Sequence, residues 1–124
     1  MSESLAVLQK AEALADQEKF EEAGALCAGV LASEPENAAA LNLRGFCLAR
    51  LGRPAEALPF FKRARLHLPI YAIIRYNLAV ALEETGDLPG AVEEYSEALR
   101  LESGMAAAQE GLTRAREAIK RDGG

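Results

Sequence analysis

The chain has 124 residues, half of them apolar and 6% aromatic, with a net charge of −5, one histidine and two cysteines. That length supports one compact domain with a modest core, and the acidic balance excludes a non-specific nucleic-acid binder, which needs an excess of Lys and Arg. Abundant Ala, Leu, Glu and Arg with few β-branched residues point to an all-α chain.

Met1 to Gln17 lacks the basic start, apolar run and small-residue cleavage site of a secretory leader. The longest apolar stretch, Leu66 to Ile74, is interrupted by His67 and Pro69, so no membrane insertion and a cytoplasmic location are expected. Further along, helical segments of about fourteen residues alternate with breaks. Pro35, Pro69 and Ser103-Gly104 end successive pairs of segments, and Gly52 and Gly86 divide the second and third pairs. Within segments the apolar spacing is helical, as in Leu41, Gly45, Leu48 and in Ala57, Phe60, Phe61, Ala64. Asn37 and Asp87 are suited to N-caps, and Pro54 and Pro89 to first turns, where a missing N–H costs little.

A shift of 34 residues aligns the sequence with itself without a gap. Leu14, Leu48 and Leu82 share one column; Ala11, Gly45 and Ala79 a second; Ala23, Ala57 and Ala91 a third; Cys27, Phe61 and Tyr95 a fourth. Small residues where paired helices cross imply a close approach that a large side chain at Gly45 or Ala57 would prevent. With its closing prolines and the aromatics ahead of the interhelix alanines, the chain resembles the tetratricopeptide repeat family. The repeats run over 4–37, 38–71 and 72–105, with a capping helix over 105–121, all in one domain of residues 1–124. The resemblance implies a right-handed superhelical solenoid of antiparallel helix pairs, about seven helices in all. Arg116 stands in the leucine column of the last helix, as a wetted terminal face requires. Lys10 and Arg44 depart from a family leucine, Val30 from an alanine, Glu18 from the turn glycine, Ser103 from a proline and Arg75 from a large apolar residue.

The resemblance also implies a concave groove lined by the first helix of each repeat. Its columns hold Leu5, Ala39, Ile73 and Ala107; Leu8, Asn42, Tyr76 and Glu110; Glu12, Phe46, Val80 and Arg114; and Asp16, Arg50, Glu84 and Ala118, with Ile70 and Tyr71 alongside. The candidate peptide-binding residues are Leu5, Leu8, Glu12, Asn42, Phe46, Arg50, Tyr71, Ile73, Tyr76 and Val80. Their apolar character suggests a surface that takes an extended or amphipathic segment of another protein. Some family members clamp the acidic C-terminus of a heat-shock chaperone with Lys, Asn and Arg. Here Leu8, Glu12, Leu43, Ile73 and Asn77 occupy those columns, so that activity is expected to be absent. Bacterial secretion chaperones, with hydrophobic grooves, are closer in polarity.

No nucleophile–base pair, metal cluster or phosphate-cradling loop appears, so neither catalysis nor a cofactor is expected. His67 reads as a surface or helix-end residue, and Cys27 and Cys47 as buried thiols in a reducing compartment. The runs Glu21-Glu22, Glu83-Glu84 and Glu93-Glu94 read as solvated faces. Residues 4–37 carry 2 basic and 7 acidic side chains, 38–71 carry 6 and 1, and 72–105 carry 2 and 7. An Asp16–Arg50–Glu84 ladder across first helices is one meaning of that alternation. The other is self-association, a homo-oligomer in which Arg53, Lys62 and Arg63 meet an acidic repeat of a second copy.

Overall fold

The computed structural model describes residues 2–123. Among the described residues seven helices follow one another: α1 (Ser2–Asp16), α2 (Phe20–Ser33), α3 (Ala38–Arg50), α4 (Pro54–His67), α5 (Ala72–Glu84), α6 (Leu88–Leu101) and α7 (Ala106–Gly123). Among the described residues there is no strand, and no helix is long and apolar enough to cross a membrane.

The boundaries follow local chemistry. Asn37 Oδ1 accepts the Ala40 N–H at 3.1 Å and Asp87 Oδ1 that of Gly90 at 3.0 Å, so α3 and α6 begin on side-chain caps. Pro54 and Pro89 sit in the first turns of α4 and α6. At the ends of α1, α3 and α5 the chain reverses through the same hydrogen-bonded cap. Lys19, Arg53 and Asp87 donate their N–H groups to the carbonyls of Leu14, Leu48 and Leu82 at 2.9, 2.9 and 2.8 Å. That cap needs a left-handed residue just before the donor. Gly52 and Gly86 supply it at φ +80° and +95°, whereas Glu18 is forced into it at +61°.

Each helix packs on the next, and α1 with α3, α3 with α5 and α5 with α7 also touch. Adjacent helices therefore form antiparallel pairs stacked in an all-α solenoid. At Gly45 a Cβ would stand 2.7 Å from the Phe61 ring, and at Gly111 it would stand 2.4 Å from that of Tyr95. Both rings are buried, and Ala57 and Ala91 beside them are fully enclosed. One core cluster fills the two later pairs and α7, a second fills α1, α2 and the near side of α3, and Phe46 packs against both. Cys27 and Cys47 lie in the second cluster, and burial pushes the Cys27 thiol up to about 12, leaving it an inert filler at neutral pH.

Glu94 departs from the sequence expectation. Instead of lying on a solvated face it is only 6% exposed, and its carboxylate accepts from Arg65 Nη1 at 2.6 Å and Arg75 Nη1 at 3.2 Å. An arginine in the column at Arg75 brings a charge to the α5–α6 seam, and a buried partner compensates it. His67 closes α4 with Nε2 3.2 Å from Glu36 Oε1, at the surface as expected.

Two stability measurements test this account. Replacing Glu18 by Gly relieves a left-handed strain of about 1–2 kcal/mol against a smaller entropic cost, so the melting temperature should rise by a few degrees. Gly45→Leu forces a side chain into the Phe61 ring and should cost about 1–3 kcal/mol in denaturant unfolding. An unchanged midpoint would mean that α3 and α4 can separate without penalty.

Candidate functional site

The ridge of α3 and the facing ridge of α5 enclose a pocket of about 240 Å³ lined by Phe46, Ala49, Arg50, Phe61, Tyr76, Asn77, Val80 and Glu84. Residues three and four apart on a helix share a face, which is why Phe46, Ala49 and Arg50 meet Tyr76, Val80 and Glu84. Phe61 reaches the pocket from α4 because Gly45 places no side chain in its path. Tyr76 leans on Tyr95 with ring centroids 6.0 Å apart, and Phe46 meets Phe20 edge-on at the same separation. At one side Asn77 Nδ2 donates to Asn42 Oδ1 at 3.1 Å, tying α5 to α3.

Of the ten residues proposed from the sequence, Phe46, Arg50, Tyr76 and Val80 line the pocket and Asn42 braces it. Leu5, Tyr71 and Ile73 are exposed, Leu5 at 60% and Ile73 at 49%, and Glu12 is exposed on α1. Leu8 is different: with 7% exposed it belongs to the core of the first pair and offers no surface to a partner. The helix-period pattern cannot separate a residue facing the groove from one leaning on the neighbouring helix. Ala49, Phe61 and Asn77 were missed as lining. Their signal was the one-turn spacing from Phe46 and Val80, and for Phe61 the glycine opposite. Leu66 and Ile70, at 77% and 72% exposed, add an apolar edge near the α4–α5 turn.

The charged ladder does not form. Among the described residues no ion pair joins Arg50 to Asp16 or Glu84; its guanidinium lies 4.7 Å from the Phe20 ring centroid and 5.7 Å from that of Phe46. Two aromatic faces offer a planar cation more contact than a carboxylate on the next helix can, without holding both side chains extended in water. Arg114, in a groove column of the last helix, is drawn aside. Its Nε donates to Glu83 Oε2 at 2.6 Å and its Nη2 to Oε1 at 2.9 Å, while the Tyr95 hydroxyl donates to the same carboxylate at 2.7 Å. Glu83, expected on a solvated face, is therefore a clasp binding α5, α6 and α7. The Arg114 hydrogen bonds hold its carboxyl below the usual range, and burial together with donation to Glu83 pushes the Tyr95 hydroxyl well above its own.

Two family models described as tetratricopeptide repeat match the chain, over residues 8–67 and 48–115, the second spanning more than half of it. The chain belongs to the tetratricopeptide repeat family. Its solved relatives in shape agree. The Sgt2 TPR domain from Aspergillus fumigatus superposes at a TM-score of 0.91 with 22% identity, over 99% of this chain and 83% of that one. The first TPR of Spaghetti (RPAP3), bound to the HSP90 peptide SRMEEVD, gives 0.90 with 21% identity over 94% and 93%. The Thermobaculum terrenum O-GlcNAc transferase gives 0.86 with 27% identity, over 90% of this chain but 22% of the transferase. No curated protein matches the sequence.

The clasp has a pH signature. A carboxyl whose folded pKa is depressed contributes stability above its ordinary value of about 4.3, and that contribution disappears as pH falls through the folded value. Glu83→Gln should therefore lose less melting temperature than the natural protein between neutral pH and about pH 3. Parallel losses in the two proteins would show that the clasp adds nothing.

Proposed function

We propose that this tetratricopeptide repeat chain is a non-catalytic interaction module, adaptor or chaperone-like, that takes an extended or amphipathic helical segment of another protein in the groove across α3 and α5. The observation that carries this reading is the pocket itself. Aromatic and aliphatic side chains converge there, and Ile70, Tyr71 and Ile73, at the entry to α5, are exposed apolar residues. Contiguous exposed apolar area with aromatic anchors is the usual ground of a binding site. The TPR neighbours solved with peptides support the class of ligand: one holds the HSP90 peptide SRMEEVD, and the second TPR domain of human RPAP3 holds the HSP70 peptide SGPTIEEVD.

The acidic tails in those complexes are not the ligand proposed here. Leu8, Glu12, Leu43, Ile73 and Asn77 place no cation in the columns that would receive such a tail. The unit is taken as one domain of three repeats, 4–37, 38–71 and 72–105, with the 105–121 helix as its cap, working in the cytoplasm without a cofactor. Self-assembly through the basic middle repeat is the weaker reading. Arg53, just ahead of α4, is engaged by Glu56 in its first turn at 2.7 Å, and Arg63 donates to the Pro35 carbonyl at 2.6 Å, so two of the three cations that reading uses, Arg53, Lys62 and Arg63, are already engaged.

Because Phe46 supports both core clusters, the groove is better probed at Ile73 and Val80. Affinity capture with the natural protein and with an Ile73→Glu, Val80→Glu variant of matched melting should show a protein retained by the first and lost by the second. Identical captures, or only copies of this chain, would overturn the groove reading.

A further inference from the structure

We infer that the segment this groove takes is basic: an amphipathic stretch whose apolar side enters the α3–α5 pocket and whose flanking side chains are Lys and Arg. The inference rests on the groove reading above and adds the chemistry of the partner. The four columns that face the groove carry four exposed carboxylates, Glu12, Asp16, Glu84 and Glu110, and two guanidiniums. One of those, Arg114, is spent on Glu83, and the other, Arg50, is laid over the Phe20 ring. Among the described residues, none of the four carboxylates takes part in an ion pair.

The 34-residue register places Asp16, on α1, and Glu84, on α5, in the column of Arg50, so that end carries two carboxylates to one guanidinium, and Glu84 itself lines the apolar pocket. With its guanidinium on the aromatic rings, Arg50 is a direct partner of neither carboxylate. An acidic segment would meet like charge on both sides of its apolar anchor. A basic one finds the unpaired Glu84 in the pocket wall itself, an attraction that salt screens over a Debye length of about 10 Å.

Two amphipathic helical peptides test this, alike in their Leu and Phe at helical spacing and differing only in Lys or Glu on the opposite face. Fluorescence anisotropy with the intact chain should give an affinity for the Lys peptide about tenfold or more above that for the Glu peptide. Raising salt from about 0.05 to about 0.5 M should narrow the gap. Asp16→Lys with Glu84→Lys should abolish the preference. Glu21→Lys with Glu22→Lys, an equal change in net charge on α2, should retain it. Equal affinities for the two peptides, no binding of either, or a preference lost alike in both charge variants would overturn the basic partner. If both peptides bind equally and both are lost in Ile73→Glu, Val80→Glu, the groove stands and only the charge inference fails. A Lys peptide held unchanged by Ile73→Ser, Val80→Ser, which removes the apolar wall without adding charge, binds elsewhere, and the groove reading fails with it.

Discussion

The contact on which the other features depend is an aromatic ring pressed onto a helix that has no side chain to push back. The Phe61 ring lies 2.7 Å from where a Cβ of Gly45 would be, and the Tyr95 ring 2.4 Å from where a Cβ of Gly111 would be. Helices so close bury their neighbours fully, as at Ala57 and Ala91. The same contact builds the site. Phe61 passes beside Gly45 to reach the pocket, and Tyr95 extends past the α6–α7 seam to place its hydroxyl on Glu83. In the first pair Cys27 occupies that column. The volume is made up by Phe20 and Phe46 packing edge-on, which draws Phe46 into both core clusters.

The charges divide into those the fold uses and those it leaves. Glu94 is buried and compensated by Arg65 and Arg75, because a buried carboxylate left alone would cost several kcal/mol, and the half-buried Glu83 is paired with Arg114. These two clasps hold α4 through α7 together and consume Arg65, Arg75 and Arg114. What remains on the concave side is acidic around an apolar pocket, with Arg50 retained by aromatic faces. The internal economy of charge in the solenoid thus sets the surface that a partner meets.

Fold alone does not specify what such a groove binds. Similarity in shape to domains solved with HSP90 and HSP70 peptides, at 21% and 19% identity, extends to the backbone. Specificity on a shared scaffold resides in a few columns of side chains.

The period of 34 residues, the helix pairs, the caps at Asn37 and Asp87 and the turns at Gly52 and Gly86 were legible in the sequence. Each depends on interactions within a few residues along the chain, whose rules are the same in any fold. The small-residue columns likewise announced the close helix crossings. What only the tertiary structure decided was the fate of side chains with more than one neighbour in reach. Leu8 shares a column with Asn42 and Tyr76 yet is buried in the core cluster of α1, α2 and α3. Arg50 takes two rings instead of two carboxylates, and Glu94, in a run of acids that reads as surface, is buried between two arginines. Such alternatives differ by about a kilocalorie per mole in isolation, so the positions of helices distant in sequence determine which one prevails.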